Sequence, residues 1–212
     1  MAGPNGAAKW ATNSWAPAIA HKKIDGEEKF FLYFANGGSG IGVLVGDSPL
    51  GPWTDPNGKA LLTYGYPECQ GVVWCFDPAV LVDDDGTGYI YFGGGVPEGQ
   101  NLNPKTARVA QLTDDMVQIK DRKSYEIDAP CMFEDSGIFK YNGKYYYSYC
   151  SNFTPANKDG YPGTGTICYM VSDNPMGPFT YAGEIFSNPS VWFGTPGNNH
   201  HATFVFEGES YF

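Results

Sequence analysis

Four stretches of this chain follow one plan, and a plan repeated about every sixty residues limits the fold more than any single motif. Each has a polar or special residue, a short apolar strand, a Gly-containing turn, and a Tyr/Phe-rich strand. They are WAPAIAHKKIDGEEKFFLYFANG (15–37), FDPAVLVDDDGTGYIYFGGG (76–95), FEDSGIFKYNGKYYYSYCSN (133–152) and NHHATFVFEGESYF (199–212). Asp77 lies nine residues before Gly86 and Glu134 nine before Gly143; Ala16 lies ten before Gly26 and His200 eight before Gly208. The leading residues Ala16, Asp77, Glu134 and His200 follow one another at intervals of 61, 57 and 66 residues. A second element also recurs, DSPLGPWT at 47–54 and SDNPMGPFTY at 172–181. A unit of this length holds several strands and is too long for a leucine-rich or ankyrin repeat. It fits one blade of a β-propeller with long loops. Asp-Gly and Asn-Gly, in DDDG and YNG, supply the positive φ that hairpin turns need.

The composition suits that plan. Hydrophobic residues make up 42% and aromatics 16%, against 28 Gly and 16 Pro, the mix expected of short strands joined by turns. The spacing predicts an all-β chain of a single domain over 1–212. It is a propeller of the five-bladed type, incomplete here at about three to four blades, since five blades would need roughly 300 residues at this period. The last unit stops at Phe212, in its second strand, so unpaired strand edges are expected, and with them homo-oligomer formation. A net charge of −10 argues against a nucleic-acid partner. No apolar run is long enough for a transmembrane helix, and MAGPNGAAKW does not read as a signal peptide. The five cysteines form no CxxC pair and have only three His beside them, so buried free thiols are expected in place of a zinc site.

The first strand of each propeller blade lines the central channel, so residues far apart in sequence meet at one mouth. Here they are Trp15, Asp77, Glu134 and His200. Two carboxylates, a histidine and aromatic rings converging on a funnel suit glycoside hydrolysis. Glu134 follows the apolar run APCMF, whose desolvation would raise its pKa as a general acid requires; the bland reading is a surface Glu that starts a strand. Asp77 lies inside VVWCFDPAV and needs a partner if buried; the alternative is a turn residue before Pro78. Asp83, Asp84 and Asp85 read as a solvated turn, since they lack the ligand spacing of a calcium loop. Of His200 and His201, alternation along a strand lets only one face the channel, and repeat phase selects His200. Trp15 and Trp74 are candidates for stacking on sugar faces as readily as for core packing, whereas Trp10, Trp53 and Trp192 read as structural.

The segments WAPAIAHKK, KFFLYFANGGSGIGVLVGDSPLGPWTDP, GVVWCFDPAVLVDDDGTGYIYFGGG, IDAPCMFEDSGIFKYNGKYYYSYC and GNNHHATF, in that order, closely resemble glycoside hydrolase family 43, in particular its arabinoxylan arabinofuranohydrolases. The resemblance implies a five-bladed propeller and inverting hydrolysis. It makes Glu134 the general acid and Asp77 the residue that tunes the acid's pKa and orients the substrate. It makes His200 a channel residue near a structural calcium, the one metal expected, with no cofactor required. Trp74 with Phe76, and Asn198 or Asn199 before the His pair, match the substrate-contacting region. The general base of the family lies upstream of the WAP segment, and MAGPNGAAKWATNS contains no Asp or Glu.

Three functions follow. The first is removal of α-L-arabinofuranosyl groups from arabinoxylan or arabino-oligosaccharides, with β-xylosidase as the runner-up activity. The second is carbohydrate binding without turnover, for want of the base. The third is a propeller scaffold for protein partners, which would show an apolar or charged patch in place of a carboxylate-lined funnel.

Overall fold

The computed structural model of the protein describes residues 1–154, 158–206 and 209–211. Three antiparallel four-stranded sheets follow in chain order. The first runs β1 (Trp15–Ile24), β2 (Glu27–Ala35), β3 (Gly40–Gly46), β4 (Leu62–Thr63); the second β5 (Ala79–Val82), β6 (Gly88–Gly93), β7 (Ala107–Gln111), β8 (Tyr125–Ile127). The third runs β9 (Met132–Tyr141), β10 (Lys144–Ser151), β11 (Ile167–Ser172), β12 (Thr180–Phe186), and a two-stranded pair follows, β13 (Phe204–Phe206) with β14 (Glu209–Tyr211). Neighbouring strands are consecutive in sequence throughout, and β1 packs on β5 and β5 on β9, so the first strands of the sheets lie side by side. This is the propeller arrangement that the sixty-residue period predicts. The one α-helix among the described residues is a single turn, α1 (Ser190–Phe193).

The turns form where the sequence places them. Asp25 and Gly26 have φ of 53° and 86° and join Ile24 to Glu27; Asn142 and Gly143, at 49° and 74°, join Tyr141 to Lys144. The recurring Pro-X-Gly-Pro segments are also alike in three dimensions: Gly51 and Gly177 have φ of 85° and 84°, and each precedes a cis proline. The Asp83 N–H donates to the Thr87 carbonyl at 2.9 Å across its turn, and the Asp83 carboxylate pairs with Lys140; at 10% exposure this side chain is less solvated than the turn reading expects.

The period of two along each strand divides the core into layers. On β2, Phe31 and Tyr33 face the second sheet, while Leu32 and Phe34 face the N-terminal segment with Ala8, Ala11 and Trp10. On β6, Ile90 and Phe92 pack towards the first sheet, and Tyr91 towards the third with Tyr145, Tyr147 and Tyr149. Burying a tyrosine is favourable only when its hydroxyl is satisfied. The hydroxyls of Tyr33, Tyr91 and Tyr149 each donate to a backbone carbonyl, of Met116, Pro175 and Pro130, at 2.7 Å. Trp10 is structural as read, stacked on Phe34 and donating to Asp55 at 2.8 Å. Trp192 corrects its reading: it stands 57% exposed on α1 and is not a core residue. All five cysteines are buried and unbridged.

Candidate active site

Packing of the first strands against one another brings the leading residues together, with one change of phase. Ala18 lies opposite Tyr33, Ala79 opposite Tyr91 and Gly137 opposite Ser148, so these three are equivalent in their sheets. Counting two residues back gives Ala16, Asp77 and Asp135, which all have positive φ, of 41°, 47° and 64°. Asp135 is therefore the counterpart of Asp77, and Glu134 that of Phe76 and Trp15. Counting to the turn glycine missed this, because the first strands differ in length by a residue between bend and turn.

The bend sends neighbouring side chains to different places. Asp77 and Asp135 line a central cavity of 480 Å³ with Ala16, Gly137, His200 and His201. Glu134 opens instead into a smaller pocket of 260 Å³, walled by Trp15, Trp74, Phe76, Phe133 and Asn198. Asp77 and His200 border both. Trp74 is seated by glycines: a Cβ on Gly38 would come 3.0 Å from its ring, and one on Gly95, whose φ is 82°, would come within 2.7 Å. Trp15 and Trp74 are 50% and 41% exposed, so they present ring faces to the pocket where a core residue would present none.

Asp77 Oδ2 accepts the Asp135 N–H at 3.0 Å, and Asp135 Oδ2 accepts the His201 N–H at 2.9 Å. The segments that lead into β5 and β13 are thus linked to β9, side chain to backbone, around the channel. His201 Nδ1 also meets Asp135 Oδ2, and its Nε2 lies 2.6 Å from Ser148 Oγ. His200 sits among three carboxylates: Nε2 is 3.6 Å from Glu134 and 3.7 Å from Asp77, and Nδ1 is 3.4 Å from Asp135. The Glu134 carboxylate, together with Asp135 and Asp77, outweighs the cost of burial and pushes the His200 pKa up to about 9. Burial raises the Asp77 carboxyl to about 6, against the pull of His200 and the Asp135 N–H. Glu134 Oε1 is buried and has no hydrogen-bond partner. One donor atom from each of Asp77, Glu134 and His200 lies within 4.8 Å of the others.

The structure therefore brings Trp15, Trp74, Phe76, Asp77, Glu134 and His200 to one mouth. It does not bring Asn199 there. Its side chain is buried and donates to the carbonyls of Gly165 and Ser187, and Asn198 lines the pocket in its place. The expectation that only His200 faces the channel is also corrected: both histidines reach it, because residues 197–203 form no strand and alternation does not apply to them. Sequence reasoning assigned no role to Asp135, Ser148 and Phe133. The adjacent acid pair Glu134-Asp135 was a visible signal for the first of these; nothing local marks the others.

Residues 3–139 match the family described as Glycosyl hydrolases family 43. The chain is 63% identical over 97% of its length to the arabinoxylan arabinofuranohydrolase of Paenibacillus polymyxa, of which it covers 33%. It is 60% identical over its whole length to that of Bacillus subtilis (strain 168), of which it covers 43%. A crystal structure of a glycoside hydrolase family 43 arabinoxylan arabinofuranohydrolase from Bacillus subtilis, in complex with cellotetraose, superposes with a TM-score of 0.94 at 58% identity; 99% of this chain and 45% of that one are covered. The chain thus spans a third to under half the length of these relatives.

Proposed function

Because the chain belongs to glycosyl hydrolase family 43, we propose that its funnel serves the removal of α-L-arabinofuranosyl groups from arabinoxylan, with Glu134 as the general acid. The observation that carries this reading is the orphaned oxygen: Glu134 Oε1 is buried, unpartnered, and on the wall of a pocket flanked by Trp15 and Trp74. An unpartnered carboxyl oxygen on a pocket wall is placed to meet a substrate oxygen. A proton held there is available to the oxygen of a departing sugar, whose C–H faces the two indoles can cover.

Asp77 supports the acid and does not activate water. An inverting pair stands about 6.5–9.5 Å apart to admit a water, and oxygens of Asp77 and Glu134 approach within 4.8 Å. At that spacing Asp77 flanks the acid and leaves no room for a water between the two. The His200 imidazolium faces both carboxylates and partly neutralises their charge. The water-activating base of an inverting reaction is not assigned to any residue here, since the described lining of the pocket holds no other carboxylate. Calcium takes six to eight oxygen ligands. Asp77, Glu134 and His200 offer three donor atoms, one of them nitrogen. An ion beside His200 would draw most of its shell from water, and no step above runs through it.

The test is sugar release from defined arabinoxylo-oligosaccharides, followed by chromatography, beside calorimetric binding. Arabinose release that falls about 10²–10⁴-fold in Glu134→Gln, with binding retained, is the expected result. Equal release by the variant would refute the acid assignment. Xylose as the product would shift the reading to a β-xylosidase, and binding without any release to a carbohydrate-binding unit.

A further inference from the structure

Cys69 ends a short turn of 3-10 helix, and Cys75 stands two residues before Asp77. Their Sγ atoms are 3.2 Å apart. Neighbouring side-chain atoms normally rest at ~3.5–4.0 Å, so the sulfurs are already closer than packing alone requires. The segment between them is a tight loop. The Val72 N–H donates to the Cys69 carbonyl at 3.2 Å, Gly71 has φ of 79°, and Arg108 Nη2 holds the Gln70 carbonyl at 2.7 Å. Both ends are anchored: the Cys69 N–H donates to the Tyr66 carbonyl, and the Cys75 N–H to the Gly38 carbonyl at 2.9 Å. The other three thiols differ. Cys150 and Cys168 turn their sulfurs to backbone carbonyls, and Cys131 has no sulfur neighbour at such a distance among the described residues.

We propose that Cys69 and Cys75 are a disulfide-forming pair, closed when the protein folds in the presence of a small-molecule disulfide such as oxidised glutathione. Cys69 is the less deeply buried of the two and reacts first. Its thiolate attacks the oxidant, forms a mixed disulfide and releases one glutathione thiol. The Cys75 thiolate then attacks Cys69 Sγ and releases the second. The two protein thiols are oxidised by two electrons, the glutathione disulfide is reduced, and the two thiol protons end on the released glutathione. The hydrogen bond to Cys69 and burial raise the Cys75 thiol pKa, so Cys75 keeps its proton while Cys69 makes the first attack. The closed loop would pin the stretch that carries Trp74, Phe76 and Asp77 into the pocket.

The experiment is refolding in a glutathione redox buffer, acid quenching, and alkylation in denaturant followed by mass spectrometry. Three alkylated cysteines out of five are expected, with the peptide that holds both Cys69 and Cys75 lighter by about 2 Da. Reduction should lower the melting temperature on the order of 5 °C in the wild type and leave Cys69→Ser/Cys75→Ser unmoved. Five alkylated cysteines, or a bridge mapped to Cys131, Cys150 or Cys168, would overturn the proposal. The wild-type mass decides alone if the double variant does not fold, and none of these readouts depends on sugar cleavage.

Discussion

Replacing Gly137 by Ala should loosen the link that ties His201 to the third sheet. Gly137 sits on β9 opposite Ser148, in ordinary extended backbone, so the change brings no backbone strain. A Cβ there would lie 2.5 Å from Ser148 Oγ and 2.6 Å from His201 Nε2, the two atoms that bond to each other. Neither can move cheaply, since Ser148 is fully buried and His201 is also held by Asp135. Three effects compete. Restricting the unfolded chain gains ~0.4–1 kcal/mol, overpacking costs ~1–3 kcal/mol, and losing the Ser148–His201 bond costs ~0.5–1.5 kcal/mol. The net is a destabilisation of about 0.5–4 kcal/mol, centred on ~2, or a melting temperature lower by roughly 4–8 °C at that centre for a chain of this size. Thermal unfolding followed by circular dichroism reads it. Ser148→Ala removes one of the two obstructing atoms, so Gly137→Ala should cost less in that background, with a coupling of at least ~0.5 kcal/mol. A melting temperature that rises in the single variant, or strict additivity in the double, would show that the clip is not where the coordinates put it.

The His200 pKa, raised from its ordinary value to about 9 by Glu134, Asp135 and Asp77, makes a pH prediction. The stability it contributes is complete below about pH 6.5 and is lost as pH rises through about 9. Asp77, also raised, loses its contribution lower down, between its ordinary carboxyl range and about 6. Denaturation midpoints should therefore fall from pH 6.5 to 9, and His200→Gln should flatten that part of the curve; an unchanged slope in the variant would assign it to other groups. The Glu68 side chain is 1% exposed and meets Arg122, with Oε2 3.1 Å from Nη2. Arg122 is 54% exposed, so Arg122→Ala should cost about 1–3 kcal/mol in urea unfolding, from leaving the buried Glu68 side chain without its partner. Adding Glu68→Gln should recover much of the loss, and an equal cost in single and double variants would count against a buried carboxylate at that place.

The sequence determined the elements. Each hairpin turn is encoded locally, because Asp-Gly and Asn-Gly accept the positive φ that Asp25-Gly26 and Asn142-Gly143 adopt. The recurrence of those turns near every sixty residues was enough to lay the first strands side by side and bring Asp77, Glu134, Trp15 and Trp74 to one mouth. The tertiary structure decided the phase and the partners. A strand's side chains alternate with a period of two, so one extra residue at a bend moves a carboxylate from the pocket to the channel. That is why Glu134 faces the smaller pocket and Asp135 the axis, a distinction no count of residues to Gly143 could make. Asn198 and Asn199, and His200 and His201, were likewise separable only in three dimensions, since their segment belongs to no strand. Contacts such as Ser148 with His201, or Cys69 with Cys75, depend on where independently encoded strands and loops are packed, and packing is a property of the whole chain.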